Sequence, residues 1–349
     1  MVKTHRLAEW PAALLLGLAL LAWFVTGSPG IALALLLILG IPYLLMQEVP
    51  AYTGTGGRAW NYGYTLICTL IFLFLIAPVL IVMPLSFNAE PYFTFTPKML
   101  SFDPDGYSLR WYDNILTFGM LRPDEARDGA WWADMWANSA WLNAAKNSVI
   151  IGVFATLLAT GLGTLAALGL SRPEMPFRRA IMAALISPMI VPLIIVATGL
   201  TFFYADVNLA STYVGVIMAH ATLGIPFVII TVTATLVGFD HSLTRAAKSL
   251  GASEWTVFRD VMLPLITPGV ISGALFAFVT SFDEVVVVLF VGDLREPTIP
   301  RQMWNGIREQ ISPTILAVAT ILVLISIALL TTVELLRRRS ERLRGMSPG

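Results

Sequence analysis

The stretch Arg245-Ala-Ala-Lys-Ser-Leu-Gly251-Ala-Ser-Glu-Trp-Thr-Val-Phe-Arg-Asp-Val-Met-Leu-Pro264 decides the reading of this chain. It is polar, yet it lies between two apolar runs, Tyr213–Val237 and Leu265–Val291. The residues from Ser242 to Leu250 are good helix formers apart from serine and threonine, and Gly251 breaks the run as glycine does near a helix end. Ser253 is placed to cap a second helix, Glu254 to Val261, and Glu254 complements the positive N-terminal dipole of that helix. Pro264 then opens the next apolar run. Ala246 and Ala247 form a surface that another protein can approach closely. A loop shaped to be held from water, set between segments shaped for lipid, marks one subunit of a larger assembly.

The rest of the chain supports the membrane half of that statement. Of its 349 residues, 57% are hydrophobic and 13% charged, where soluble domains carry about 25% charged residues. The mean hydropathy is +0.77. The chain is therefore expected to be an all-α, polytopic membrane protein. Its net charge of zero argues against a nucleic-acid partner.

A helix crosses a bilayer with about 20 apolar residues. Six segments meet that length: Tyr64–Leu85, Ser148–Leu170, Ala180–Tyr204, Tyr213–Val237, Leu265–Val291 and Pro313–Leu335. Two shorter runs, Pro11–Val25 and Ile31–Met46, are joined by Thr26-Gly-Ser-Pro-Gly30, a tight-turn composition, and read as a helical hairpin. The first run lacks the cleavage site of a signal peptide. The organisation expected is a hydrophobic hairpin and linker over 1–63, a six-helix core over 64–336 and a basic tail over 337–349.

Orientation follows from basic residues in the loops. With the N-terminus in the cytoplasm, the inside segments hold 14 Lys and Arg, against 3 in the short outside loop 292–312. Both termini and the loop 242–264 are expected on the cytoplasmic side of an inner membrane.

Other segments carry weaker signals. Trp131, Trp132, Trp136 and Trp141 recur at spacings that put several on one side of a helix, either lying on the outer leaflet or packed as a lid. The span 148–170 is rich in Gly and Ala, which lets helices approach closely. Pro188, Pro192 and Pro226 are expected to kink their spans. No internal repeat is visible, which weakens a secondary transporter built from inverted halves.

No phosphate loop, zinc-protease motif, cysteine cluster or nucleophile elbow occurs. No cofactor, metal site or catalytic residue is expected. Cys68 lies within an apolar run and reads as packing; His220 reads as a structural contact between helices.

At the opening loop the sequence resembles the permease subunits of ABC importers, whose pattern is Glu-Ala-Ala, three residues, Gly, nine residues, Ile-x-Leu-Pro. Ala246, Ala247, Gly251, Leu263 and Pro264 match with the right spacing; Arg245 replaces the glutamate and Val261 the isoleucine. Tyr107-Ser-Leu-Arg-Trp-Tyr112, Ser281-Phe-Asp-Glu-Val-Val286 and Pro300-Arg-Gln-Met-Trp304 resemble the spermidine/putrescine branch. The resemblance implies that Arg245, Ala246, Ala247, Gly251, Ala252, Ser253, Glu254, Leu263 and Pro264 couple the chain to a separate ATPase subunit. It also implies a second permease subunit in a heterodimer and an extracytoplasmic solute-binding protein. A small cationic solute is expected, polyamines first; opines, phosphonates and other small solutes stay open. A secondary transporter or channel is the rival of another class, and it gives no reason for the loop's spacing.

Asp283 and Glu284 stand in an otherwise uncharged span. A carboxylate at mid-bilayer costs about 2.5–3.5 kcal/mol, so it has a partner or water. At about 1.5 Å per residue, Asp283 lies about 22–27 Å from the inner end of its span. Successive helical residues point about 100° apart, so one of the two is expected to face a substrate pathway. An ion pair with Arg295 or Arg301 is the alternative.

Overall fold

A computed structural model describes residues 55–172, 174–240, 242–293, 297–309 and 312–343. The expected N-terminal hairpin, the first part of the linker and Arg295 lie outside the described residues. Every regular element among the described residues is helical, apart from a lone antiparallel bridge between Asn88 and Tyr107. They divide into two compact units, Met1–Ile115 with Ile311–Gly349, and Leu116–Gln310.

In the first unit, helix α1 (Thr55–Leu85) begins inside the stretch read as linker. A short helix α2 (Pro97–Leu100) and the start of α3 (Arg110–Thr117) follow. Asn88, fully buried, organises the connection: its amide donates to the Tyr92 and Thr94 carbonyls, and its own carbonyl accepts from the Trp111 indole at 2.7 Å. The closing helix, which runs Thr314–Leu343 and extends into the basic tail, packs on α1.

The second unit holds α4 (Gly129–Asn138), α5 (Ala140–Leu170), α6 (Arg178–Ile190), α7 (Leu193–Asp206), α8 (Tyr213–Val237) and α9 (Ser242–Ser249). It continues with α10 (Glu254–Phe282), α11 (Val286–Val291) and α12 (Ile299–Glu309); the closing helix of the first unit is α13. On α4, Trp131 packs with Met120 and Met135, while Trp132 and Trp136 are exposed.

The centre of the unit is a sandwich of α5, α8 and α10. Small residues set its spacing. A methyl added at Gly224 would lie 2.9 Å from Ala277 Cβ and 3.2 Å from Ala159 Cβ, and one at Gly163 would lie 2.7 Å from Val228 Cβ. Without a hydrophobic drive between helices in lipid, such close packing supplies the association. A second cluster joins α7, α8 and α11 through Ala197, Tyr204, Val216, Ala219, Leu223, Val287, Val288 and Val291.

Among the described residues, four helices are long and apolar enough to cross a membrane: Gly63–Leu85, Ala140–Leu170, Tyr213–Val237 and Glu254–Phe282. The apolar stretch Thr314–Ala328 is the first part of the closing helix, Thr314–Leu343. Two expected spans are not continuous. Ala180–Tyr204 is broken between α6 and α7, which bend by 101°. Val191 there is extended, with φ −70° and ψ 137°, because a residue before proline is forced out of the helical region. Leu265–Val291 stops at Phe282 and resumes at Val286, so the two acids sit at a break rather than inside a helix. Pro226, by contrast, lies within α8, which runs on to Val237.

Candidate functional site

The loop 242–264 is shaped by a Gly-centred helix end. Gly251 has φ +85°, the left-handed region. Its N–H donates to the Lys248 carbonyl at 2.9 Å, and the Ala252 N–H donates to the Ala247 carbonyl at 3.1 Å. These are the paired bonds of a Schellman motif, which satisfies the last carbonyls of α9. Ala247 and Ala252, both half-buried, stand at the positions whose contact accompanies that motif. The spacing of Ala-Ala and Gly thus has a geometric cause.

After the corner, Ser253 Oγ accepts the Thr256 N–H at 3.2 Å and starts α10. Lys248 Nζ meets Glu254 Oε1 at 2.5 Å across the corner. With side chains 49% and 82% exposed, this pair contributes at most about 1 kcal/mol and mainly orients the two helices. The face left open is apolar in places: Leu250 is 89% exposed, Trp255 67% and Leu243 43%. Arg245, Ala246 and Gly251 are also exposed.

One expectation for this loop is corrected. The helix begun at Glu254 does not end before Pro264. It passes through a π stretch, Val257–Met262, straight into the span. Proline lacks an N–H and its ring presses on the carbonyl four residues back. The wider π turn, with the Leu263 N–H bonded to the Phe258 carbonyl, absorbs that misfit. Leu263 is half-buried and Pro264 exposed within this continuous helix.

The acidic pair sits at the other end of the same rod. The 29 residues of α10 span about 43 Å at about 1.5 Å each. At its end, Asp283 is exposed and Glu284 is 8% exposed. Glu284 Oε1 accepts the Val287 N–H at 2.9 Å. One turn earlier, Ser281 Oγ is 2.8 Å from Nδ1 of His220, which is fully buried and ties α8 to the end of α10.

Arg301 takes a different place from the ion pair considered for it. Its buried guanidinium donates Nη1 to the Val288 carbonyl at 2.8 Å and to the Asp293 carbonyl at 2.9 Å. The neighbouring segment is pinned to α5, where Ser148 Oγ accepts the Ile299 N–H at 2.8 Å and Asn147 donates to the Pro297 carbonyl at 3.1 Å.

The structure brings the loop residues Arg245–Glu254 together and joins them to Asp283 and Glu284 through one helix. Sequence reasoning missed the roles of Ser281 and Arg301 and the apolar face at Leu243, Leu250 and Trp255. A lone histidine within an apolar span was the available signal for the first.

The profile of the family described as binding-protein-dependent transport system inner membrane component matches residues 159–343. The chain belongs to this family. Among relatives, it is 30% identical over 272 residues to the spermidine/putrescine transport system permease protein PotC of Haemophilus influenzae, covering 78% of this chain and 95% of that one. It is 28% identical to PotC of Escherichia coli, covering 81% and 95%. It is 30% identical to the putrescine transport system permease protein PotI of Escherichia coli, covering 73% and 84%. A crystal structure of a bacterial ABC transporter involved in import of the acidic polysaccharide alginate superposes with TM-score 0.58 at 15% identity, over 81% of this chain and 97% of that one. That likeness establishes the fold. As a member of this family, the chain is a membrane-embedded transport component.

Proposed function

We propose that this chain is the transmembrane permease subunit of an ATP-driven importer for polyamines of the spermidine/putrescine type. It pairs with a second permease in a heterodimer that docks two ATPase subunits in the cytoplasm and receives substrate from an extracytoplasmic binding protein. ATP hydrolysis takes place on the separate ATPase. Both termini and the loop 242–264 face the cytoplasm, as the bias of basic residues supports.

The observation that carries the reading is the continuity of α10. One helix links the loop, with its exposed Leu250 and Trp255, to the acids Asp283 and Glu284. Exposed large apolar side chains on a water-facing loop mark a docking surface. Displacement of that loop by the ATPase moves the rod, and the rod moves the acidic break about 43 Å away. The break offers negative charge to a cationic solute, and the pathway alternates between the two sides.

The test is reconstitution of the whole complex in liposomes. Spermidine or putrescine, delivered by the binding protein, is expected to stimulate ATP hydrolysis and to be taken up. Stimulation by another solute class but not by polyamines would redirect the substrate. Full uptake without any ATPase subunit would instead support a secondary transporter.

A further inference from the structure

Helix α11 is a poor helix by its own chemistry. It has six residues, Val-Val-Val-Leu-Phe-Val. Short helices are marginal, and valine loses side-chain freedom in a helix. Its end groups must find partners elsewhere, and several of them do. At the N-terminal end, the Glu284 carboxylate accepts from Val287, and the Val285 and Val286 amides face the same group. At the C-terminal end, the Val288 carbonyl accepts from Arg301 Nη1 at 2.8 Å and from the Gly292 N–H at 3.1 Å, and the Ser211 N–H donates to the Val291 carbonyl at 2.9 Å; Thr201 Oγ1, whose nearer acceptor is the Ala197 carbonyl at 2.9 Å, lies 3.2 Å from the Phe290 carbonyl. A negative group at the N-terminus and a positive one at the C-terminus both favour the helix dipole. Both side chains are buried, Glu284 at 8% and Arg301 at 2% exposure. Asp283 makes no hydrogen bond to α11 among the described residues; its charge lies beside that of Glu284, and it is exposed on the surface of the subunit.

We propose that the two neighbouring acids divide their work: Asp283 meets the cationic substrate, while Glu284 and Arg301 are positioning residues that cap the two ends of α11. The division rests on the reading of the acidic break as part of the substrate path. It follows from what each carboxylate touches. Glu284 spends its acceptor capacity on backbone N–H groups inside the subunit. Asp283 is exposed, where a carboxylate is met by water or a cation. The caps hold the chain just beyond Asp283 in one shape, so its carboxylate is presented at a fixed angle.

Glutamine separates the two roles, because its amide oxygen still accepts the Val287 N–H but carries no charge. In the reconstituted full transporter, uptake of radiolabelled putrescine is measured as KM and maximal rate. Asp283→Asn is expected to raise KM at least tenfold with little change in maximal rate. Glu284→Gln is expected to keep KM within twofold. Glu284→Ala and Arg301→Met are each expected to lower the maximal rate at least fivefold. Hydrogen exchange of the α11 amides, read on the same complexes, should quicken in Glu284→Ala and Arg301→Met and stay unchanged in Asp283→Asn. A rise in KM for Glu284→Gln equal to that for Asp283→Asn would overturn the division, since both charges would then meet substrate. Unaltered α11 exchange in Glu284→Ala and Arg301→Met would overturn the capping role. Unchanged uptake in both Asp283→Asn and Glu284→Gln would sink the pathway reading itself while leaving the exchange result to stand.

Discussion

Gly251 shows how one residue sets the shape of the loop 242–264. Its φ of +85° costs an ordinary L-residue about 1–2 kcal/mol, although open space surrounds it. The cost of a side chain here is therefore backbone strain rather than a clash. Gly251→Ala should weaken co-purification with the ATPase several-fold, and Gly251→Asn, which tolerates the left-handed region, less so. Equal retention of the ATPase by wild type and Gly251→Pro would show that the corner is dispensable. Within the helix bundle, His220→Leu removes the imidazole partner of Ser281. Hydrogen bonds between membrane helices average about 0.6 kcal/mol, with a maximum near 1.7, so the thermal midpoint of the purified complex should fall by a few degrees at most. Gly292 faces a tighter constraint. A Cβ there would lie 2.8 Å from the Val288 carbonyl oxygen and 3.1 Å from Arg301 Nη1, at the C-terminal end of α11.

At the scale of elements, α10 combines stiffness with one local adjustment. The π stretch ahead of Pro264 accommodates the ring without breaking the rod. Pro264→Ala should let the segment revert to an ordinary α-helix, turning the loop by roughly one residue's worth of rotation, about 100°. The expected outcome is preserved assembly with reduced substrate-stimulated ATP hydrolysis, measured on the reconstituted complex. The sandwich of α5, α8 and α10 has no such slack. Gly224→Val would force atoms into Ala277 and Ala159, and overpacking of this kind costs about 1–3 kcal/mol. The folded yield in detergent should drop, and normal yield and melting would mean that the helices can separate at no cost. The bend between α6 and α7 was partly legible: Pro192 signalled a departure from helix, but not an angle of 101°.

At the scale of the whole molecule, the fold places the polar loop 242–264 and a pair of acids, one exposed and one buried, at opposite ends of one helix. Much of this was readable from the chain. The span Tyr213–Val237 has the bounds that its hydropathy predicts, and Ser253 caps the helix that its position predicts. These features depend on neighbours along the sequence: apolar length, a capping hydroxyl, a glycine free to turn left-handed. The break after Phe282 was not readable, because hydropathy runs unbroken from Leu265 to Val291. Nor was the difference between Asp283 and Glu284, two adjacent acids of the same charge. Those outcomes rest on partners remote in sequence: His220 with Ser281, Arg301 with Val288, Ser148 with Ile299. The sequence by itself determined that the chain crosses a membrane and presents one glycine-cornered loop, since both follow from local chemistry. Only the tertiary structure decided which acid is held inside and which is offered outward, because burial at the break depends on how the helices pack around it, leaving Glu284 covered and Asp283 exposed.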